Sequence, residues 1–194
     1  MAVTLFFDRR TTRRIRQLWN TLADHDLSSA VTGPECRPHL TLAVVESPAD
    51  TERIRAATRA TIPQIPSFRL ELTSVGAFRG DSGVAFIAPA VTERLVLAHR
   101  FLQRNLLEAG IPVAEHYDER QWTPHLTIGI GLDPPRLATA LELARHSAVF
   151  GPAQATQLGV VRFFPIDEVA VYRLPESSRS EKGASGRVFR RVSP

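Results

Sequence analysis

The sequence predicts an α+β protein made of two similar halves, each a largely antiparallel sheet with flanking helices, related by an approximate twofold and parted by a central cleft. Three observations lead there. Pro-His-Leu-Thr occurs twice, at Pro38 to Thr41 and at Pro124 to Thr127, each time running into an apolar, strand-like stretch. The 86 positions that separate His39 from His125 also separate Pro48 from Pro134, Leu72 from Leu158, Val75 from Val161, Phe78 from Phe164, Phe86 from Tyr172 and Pro89 from Pro175. Segments of strand period joined by tight turns alternate with segments of helical period, the pattern of mixed layers.

Taken in order, residues 3–8 read as an apolar strand. Thr11 or Thr12 caps a helix to about residue 25, with Ile15, Leu18, Trp19 and Leu22 in one apolar stripe. Residues 26–37 carry Ser28, Ser29, Gly33 and Pro34 and read as a loop into the first histidine strand, 39–45. A helix from about Pro48 to Thr61 is stopped by Pro63 and Pro66. Phe68, Leu70 and Leu72 alternate in a strand over 67–77, which the Gly80 to Gly83 turn joins to a strand over 84–87 as a hairpin. Leu95, Ala98, Leu102 and Leu106 mark a helix over 91–109, ended by Gly110 and Pro112. The second histidine strand spans 123–130, a helix runs from Pro134 to His146, and strands near 155–164 and 168–174 complete the second copy. Before the motifs the match continues at a shorter offset, Val3 to Phe7 answering Val84 to Pro89. The serine- and glycine-rich residues 176–186 read as a mobile loop, and 187–192 as a final strand. The whole of 1–194 is read as one bilobal domain.

Composition limits the function classes. Of the 194 residues 43% are hydrophobic and 23% charged, as in ordinary globular proteins. No apolar run reaches membrane-spanning length, and residues 1–20 lack the basic and long apolar regions of a leader, so no membrane partner and residence in the cytoplasm are expected. Cys36 is the sequence's one cysteine, which excludes an internal disulfide and a cysteine-rich metal cluster. Lys182 is its one lysine, so nearly every positive charge is a guanidinium, a planar fork suited to phosphate.

The motifs carry the chemistry. In a strand, residues i and i+2 share a face. His39 therefore stands beside Thr41 and His125 beside Thr127, while Leu40, Leu42, Leu126 and Ile128 turn to the core. Two such pairs across one cleft supply an acid, a base and hydroxyl donors, the groups that cleavage of a phosphate ester requires. His25, His99, His116 and His146 have no such spacing and read as surface groups, His116 with Tyr117 standing near the cleft rim. Glu115, Asp118 and Glu119 read as a solvated run. Hydrolase-elbow, phosphate-loop and zinc-protease motifs are absent from the sequence.

The paired His-x-Thr-x motifs, His39 to Leu42 and His125 to Ile128, resemble those of the two-histidine (2H) phosphoesterase superfamily, which includes the 2′-5′ RNA ligase family and cyclic nucleotide phosphodiesterases. The paired phenylalanines of the first strand, the Gly76 to Phe78 turn and the two similar halves extend the resemblance to nearly the whole chain. It implies a bilobal 2H-phosphoesterase-like fold, no metal and no cofactor, and hydrolysis of 2′,3′-cyclic phosphates on RNA termini or small cyclic nucleotides. It also implies His39 and His125 as the catalytic pair, with Thr41 and Thr127 on the phosphoryl oxygens. Many RNA-ligase-like members have an arginine shortly after the second motif; here the chain reads Ile128, Gly129, Ile130, Gly131. Arg37, Arg79 and Arg120 are the candidate replacements, and Phe7 and Trp122 the candidate base-stacking rings. A monomer is expected. The alternatives are RNA ligation, and an RNA-end or nucleotide-binding module without turnover.

Overall fold

The computed structural model describes residues 1–27, 32–33, 35–45, 51–78, 83–163 and 165–177. Along them run β1 (Ala2–Phe7), α1 (Arg9–Ala23), β2 (His39–Val44), α2 (Thr51–Thr61), β3 (Phe68–Phe78), β4 (Gly83–Pro89), α3 (Glu93–Glu108), β5 (Leu126–Leu132), α4 (Pro134–Arg145), β6 (Gly151–Arg162) and β7 (Asp167–Arg173). The strands form one seven-stranded sheet in the order β2-β1-β6-β3-β4-β5, with β7 also on β6. Each neighbouring pair is antiparallel. The α+β class is as the sequence predicts. The two halves are joined more closely than two lobes with a sheet each, because residues 151–155 of β6 pair with β3 and the rest of β6 with β1 and β7.

That strand order reads the same from either end once β1, β2 and β3 are exchanged for β4, β5 and β6. The register of the central pair locates the axis. Phe68 lies opposite Ala155 and Arg69 opposite Gln154, and the shift of 86 residues converts each of these pairs into the other. The helices obey the same operation, α1 packing on α4 and α3 on α2.

Apolar periodicity explains the local structure. Ile15, Leu18, Trp19 and Leu22 on α1, and Leu95, Ala98, Leu102 and Leu106 on α3, are all buried in one core with Leu40, Leu42, Leu126 and Ile128. Capping sets the helix starts. Asp8, not Thr11 or Thr12, caps α1: its carboxylate accepts from Thr11 N–H at 2.7 Å, and Thr11 is buried inside the first turn. Thr92 and Asp133 do the same for α3 and α4. The helix expected from Pro48 begins at Thr51, the intervening residues lying outside those described. β6 begins earlier than expected, at Gly151, whose φ of +102° starts the strand from the left-handed region. Glu176 and Ser177 are exposed and without regular structure; the remainder of the expected loop 176–186 and the strand 187–192 lie outside the described residues.

The sheet's twist has a functional result. Although β2 and β5 stand at opposite ends of the strand order, they touch. Three carbonyls of β2 accept bonds from the second half: Val44 O from Ala114 N–H at 2.8 Å, Thr41 O from the Trp122 indole at 3.1 Å and Leu42 O from the Gln103 amide at 3.3 Å. The two histidine strands are thus held against each other. Leu40 and Leu126 are fully buried beneath them, so Leu40→Ala or Leu126→Ala should each cost about 2–5 kcal/mol, read as a lower denaturant midpoint.

Candidate active site

Each histidine is aimed by the same device. Pro38 and Pro124 are buried, lack an N–H and hold the residue before them extended. The carbonyl of that preceding residue turns back to the imidazole: His39 Nδ1 lies 2.7 Å from Arg37 O, and His125 Nδ1 2.8 Å from Thr123 O. A carbonyl only accepts, so Nδ1 donates in both, and Nε2 is left as the atom that gains and loses a proton. β2 starts at His39, whereas β5 starts at Leu126, one residue after His125 and later than the expected 123. The carbonyl bond, rather than the sheet ladder, therefore orients His125.

Both imidazoles are half-buried. Burial lowers the pKa of His39 from 6.5, and the charge of His125 lowers it further, against the opposing pull of the Arg37 carbonyl and Glu168. Burial likewise lowers that of His125, against the Thr123 carbonyl. The strands that carry the two rings, β2 and β5, are in contact. Aromatic side chains wall them in. Phe6, opposite His39 in the β1–β2 register, meets its ring edge-on at 6.5 Å, and Phe163 lies at 5.6 Å. Phe78 stands edge-on to His125 at 4.9 Å and Phe86 at 5.5 Å. Motif reading missed Phe6, Phe86 and Phe163 as site residues; for Phe6 and Phe86 the signal was in the register, since each lies opposite a motif residue, while Phe163 follows the end of β6 and had none.

Around this pair the remaining candidates separate. Thr41 is buried at 8% exposure, and Thr127 is half-buried and lines an open cavity of about 510 Å³ together with His125, Phe78, Tyr117, Gln121 and Ile130. The Arg37 guanidinium sits 3.9 Å above the Phe6 ring and is tied to Gln157 at 2.7 Å and to Glu168 at 3.1 Å. It also borders a second cavity of about 640 Å³, with Arg9 and Arg173, whose lining contains neither motif histidine. Arg120 is exposed on the 118–121 turn and does not line the cavity at His125. Arg79 lies outside the described residues. Phe7 is a core side chain at 4% exposure, on the strand face opposite Phe6. Trp122 is stacked on His99 at 3.9 Å with its indole N–H on Thr41 O, so its ring is already engaged within the protein.

His99 corrects the sequence reading directly. Expected at the surface, it is 1% exposed, held between Trp122 and the Tyr117 carbonyl 3.0 Å from its Nε2. His25, His116 and His146 are exposed as expected. Glu115 and Glu119 are exposed, and Asp118 is spent on capping the turn through Arg120 N–H. Among the described residues, no group of three or more His, Cys, Asp or Glu side chains is placed to hold a metal ion, and no helix is long and apolar enough to cross a membrane.

The family model of the 2′-5′ RNA ligase superfamily matches residues 7–176, most of the chain and both motifs. The chain belongs to this superfamily. Solved structures agree in fold. A Thermus thermophilus protein, TT0787, is 18% identical, with a TM-score of 0.60 over 90% of this chain and 97% of its own. E. coli LigT complexed with 3′-AMP is 16% identical, with a TM-score of 0.56 over 89% of this chain and 96% of its own. The complex of E. coli LigT with NADP+ is 18% identical, with a TM-score of 0.53 over 90% and 96%. A search of curated proteins finds no match. As a superfamily member, the chain shares the fold of LigT and related 2H phosphoesterases.

The lowered imidazole pKa values have a sign that can be measured. The folded state takes up protons at lower pH than the unfolded chain. Stability is therefore complete above 6.5 and falls as pH drops through the folded-state values of His39 and His125. Urea denaturation between pH 7 and pH 5 should show this loss, and it should shrink in a protein carrying His39→Asn and His125→Asn.

Proposed function

We propose that this protein is a metal-independent phosphodiesterase that opens 2′,3′-cyclic phosphates, on RNA termini or small nucleotides, by general acid-base catalysis between His39 and His125. The observation that carries the reading is the duplicated imidazole device, Nδ1 anchored on a carbonyl at 2.7 Å and 2.8 Å with Nε2 left to exchange a proton. In-line displacement at phosphorus puts the attacking and departing oxygens on opposite sides. Two histidines from strands that touch serve one side each. One takes a proton from water, and the other gives one to the ribose oxygen. The Thr41 and Thr127 hydroxyls donate to the equatorial oxygens, where charge gathers. Membership of a superfamily named for 2′-5′ RNA ligation supports RNA ends as substrate, and the nucleotide in the fold-related LigT complex supports a nucleotide ligand.

Burial has a cost for this scheme and supplies its control. A lone imidazole of lowered pKa is neutral at pH 7 and makes a good base but an empty acid. The phosphate anion of the substrate raises both pKa values on binding, so the acid is loaded by the molecule it is to cleave. The kcat/KM profile should be bell-shaped with its maximum below 6.5, because it reports the free enzyme, and the kcat profile should lie at higher pH.

A panel of the four nucleoside 2′,3′-cyclic phosphates, assayed with chelator, tests the reading. Turnover is expected without added metal. His39→Ala or His125→Ala should abolish it with the fold retained, and Thr41→Ala or Thr127→Ala should cost about 1–3 kcal/mol of transition-state stabilisation. Binding without turnover of any of the four would leave a recognition module, and normal rates in either histidine variant would remove the acid-base scheme.

A further inference from the structure

One row of residues crosses four strands from the first histidine to an arginine. In the strand pairing His39 lies opposite Phe6, Phe6 opposite Gln157, and Gln157 opposite Arg173. Residues directly opposite in antiparallel strands point to the same face, so these four side chains share the face on which the imidazole stands. The Phe6 ring lies across Gly159, where a Cβ would collide with it. The Arg37 guanidinium rests 3.9 Å above that ring and donates to Gln157 Oε1 at 2.7 Å. The other half repeats the ring but not the cation. Phe86 lies over Gly76 in the same way, yet Phe78 covers it, the ring centres 4.4 Å apart.

Arg37, Gln157 and Arg173 also line the cavity of about 640 Å³, so it continues the row away from His39. Three guanidiniums from distant parts of the sequence border it: Arg9 at the start of α1, Arg37 before β2 and Arg173 at the end of β7. Two carboxylates line it as well, Asp8, which accepts the Thr11 N–H as the cap of α1, and Glu176. Arg37 spends two donors on Gln157 and Glu168 out of the five that a guanidinium carries. Arg9 and Arg173 are exposed and, among the described residues, have no ion-pair partner. Donors thus remain for an anion. Neighbouring strands lie about 5 Å apart, so the row from His39 to Arg173 spans about 14 Å. A phosphate at the histidine and an anion at the far guanidiniums are therefore two groups.

We propose that the cavity lined by Arg9, Arg37 and Arg173 binds a second phosphate of the substrate, joined covalently to the phosphate that is cleaved and left intact by the reaction. This site rests on the phosphodiesterase reading and selects among the substrates which that reading admits. A bare nucleoside 2′,3′-cyclic phosphate occupies one end of the row. A substrate with a further phosphate occupies both, and its second group meets planar guanidinium forks, which match phosphate oxygens in pairs. The occupant is either a terminal phosphate or the next phosphodiester of a strand, since both present the same oxygens.

Three substrates with the same 2′,3′-cyclic end test the site: the nucleoside, the nucleoside bearing a 5′-monophosphate, and the dinucleotide in which a phosphodiester joins a second nucleoside at that 5′ position. Wild-type hydrolysis of at least one comes first, and its absence would remove the phosphodiesterase reading together with this one. Given that hydrolysis, kcat/KM should be at least about tenfold higher with the 5′-phosphate or the dinucleotide than with the bare nucleoside, and the double variant Arg9→Gln, Arg173→Gln should erase the difference. Arg145→Gln, on α4 and outside the cavity, should leave it unchanged. A neutral methylphosphonate in place of the dinucleotide's phosphodiester should also erase that substrate's advantage, which separates the phosphate from the base it carries. Preference for the 5′-phosphate identifies a terminal phosphate as the occupant, and preference for the dinucleotide alone identifies the next phosphodiester. Equal kcat/KM on all three substrates would overturn the site while leaving the phosphodiesterase reading in place. So would a preference that survives the double variant, an equal loss in Arg145→Gln, or a dinucleotide advantage that survives methylphosphonate.

Discussion

Hydrogen bonds between β3 and β6 govern the rest of the architecture. With Phe68 opposite Ala155 and Arg69 opposite Gln154, two copies of one strand-helix-strand-helix-strand unit are joined about an axis in the middle of the sheet. From there the order outward is forced: β1 and β4 next, then β2 and β5. A strand has a side-chain period of two, so a slip of one residue in the pairing of β2 or β5 would exchange Leu40 and Leu126 with the motif polar groups. The buried leucines and the cleft-facing histidines are thus two results of one register. Twist then brings β2 and β5 together, and the bonds from Ala114, Gln103 and Trp122 to β2 carbonyls hold them there.

Symmetry and its breakage have separate uses. The repeat gives two imidazoles with matching carbonyl anchors, which is what a reaction with two opposed proton transfers needs. A perfectly symmetric site would bind its substrate in either sense. Here Arg37 lies over Phe6 and is tied to Gln157 and Glu168, whereas its counterpart Thr123 lines the cavity beside His125, so the sides are unlike. His99 links the two requirements. Stacked on Trp122 and bonded to the Tyr117 carbonyl, it connects the backbone at Thr41 in the first motif to the rim of the cavity beside the second.

The sequence made most of this legible, for reasons that can be named. Repeated Pro-His-Leu-Thr and the shared spacing exposed the duplication, and strict alternation around each histidine told which residues face the core. The stripes of α1 and α3 were readable because their apolar spacing allows no other buried face. Other features depended on contacts between distant segments. His99 looked like a surface histidine because one residue type on a helix says nothing of the Trp122 ring that covers it. Asp8 was passed over as a cap in favour of the threonines that follow, though its carboxylate reaches Thr11 N–H at 2.7 Å. Phe6 and Phe7 are adjacent and chemically alike, and only pairing with His39 decides that Phe6 backs the imidazole while Phe7 joins the core cluster. The place of the Arg37 guanidinium was beyond reach, because it depends on Phe6, Gln157 and Glu168 from distant parts of the sequence.

The central claim is that His39 and His125 address one phosphate. It is tested most directly by nitrogen resonance of the two labelled imidazoles during titration with a nucleoside 2′-monophosphate. If the claim holds, both Nε2 signals move with a single dissociation constant, and the protonation midpoints of both rings rise in the complex, since the same anion faces each. Response of only one ring, or two rings responding with different affinities, would contradict it.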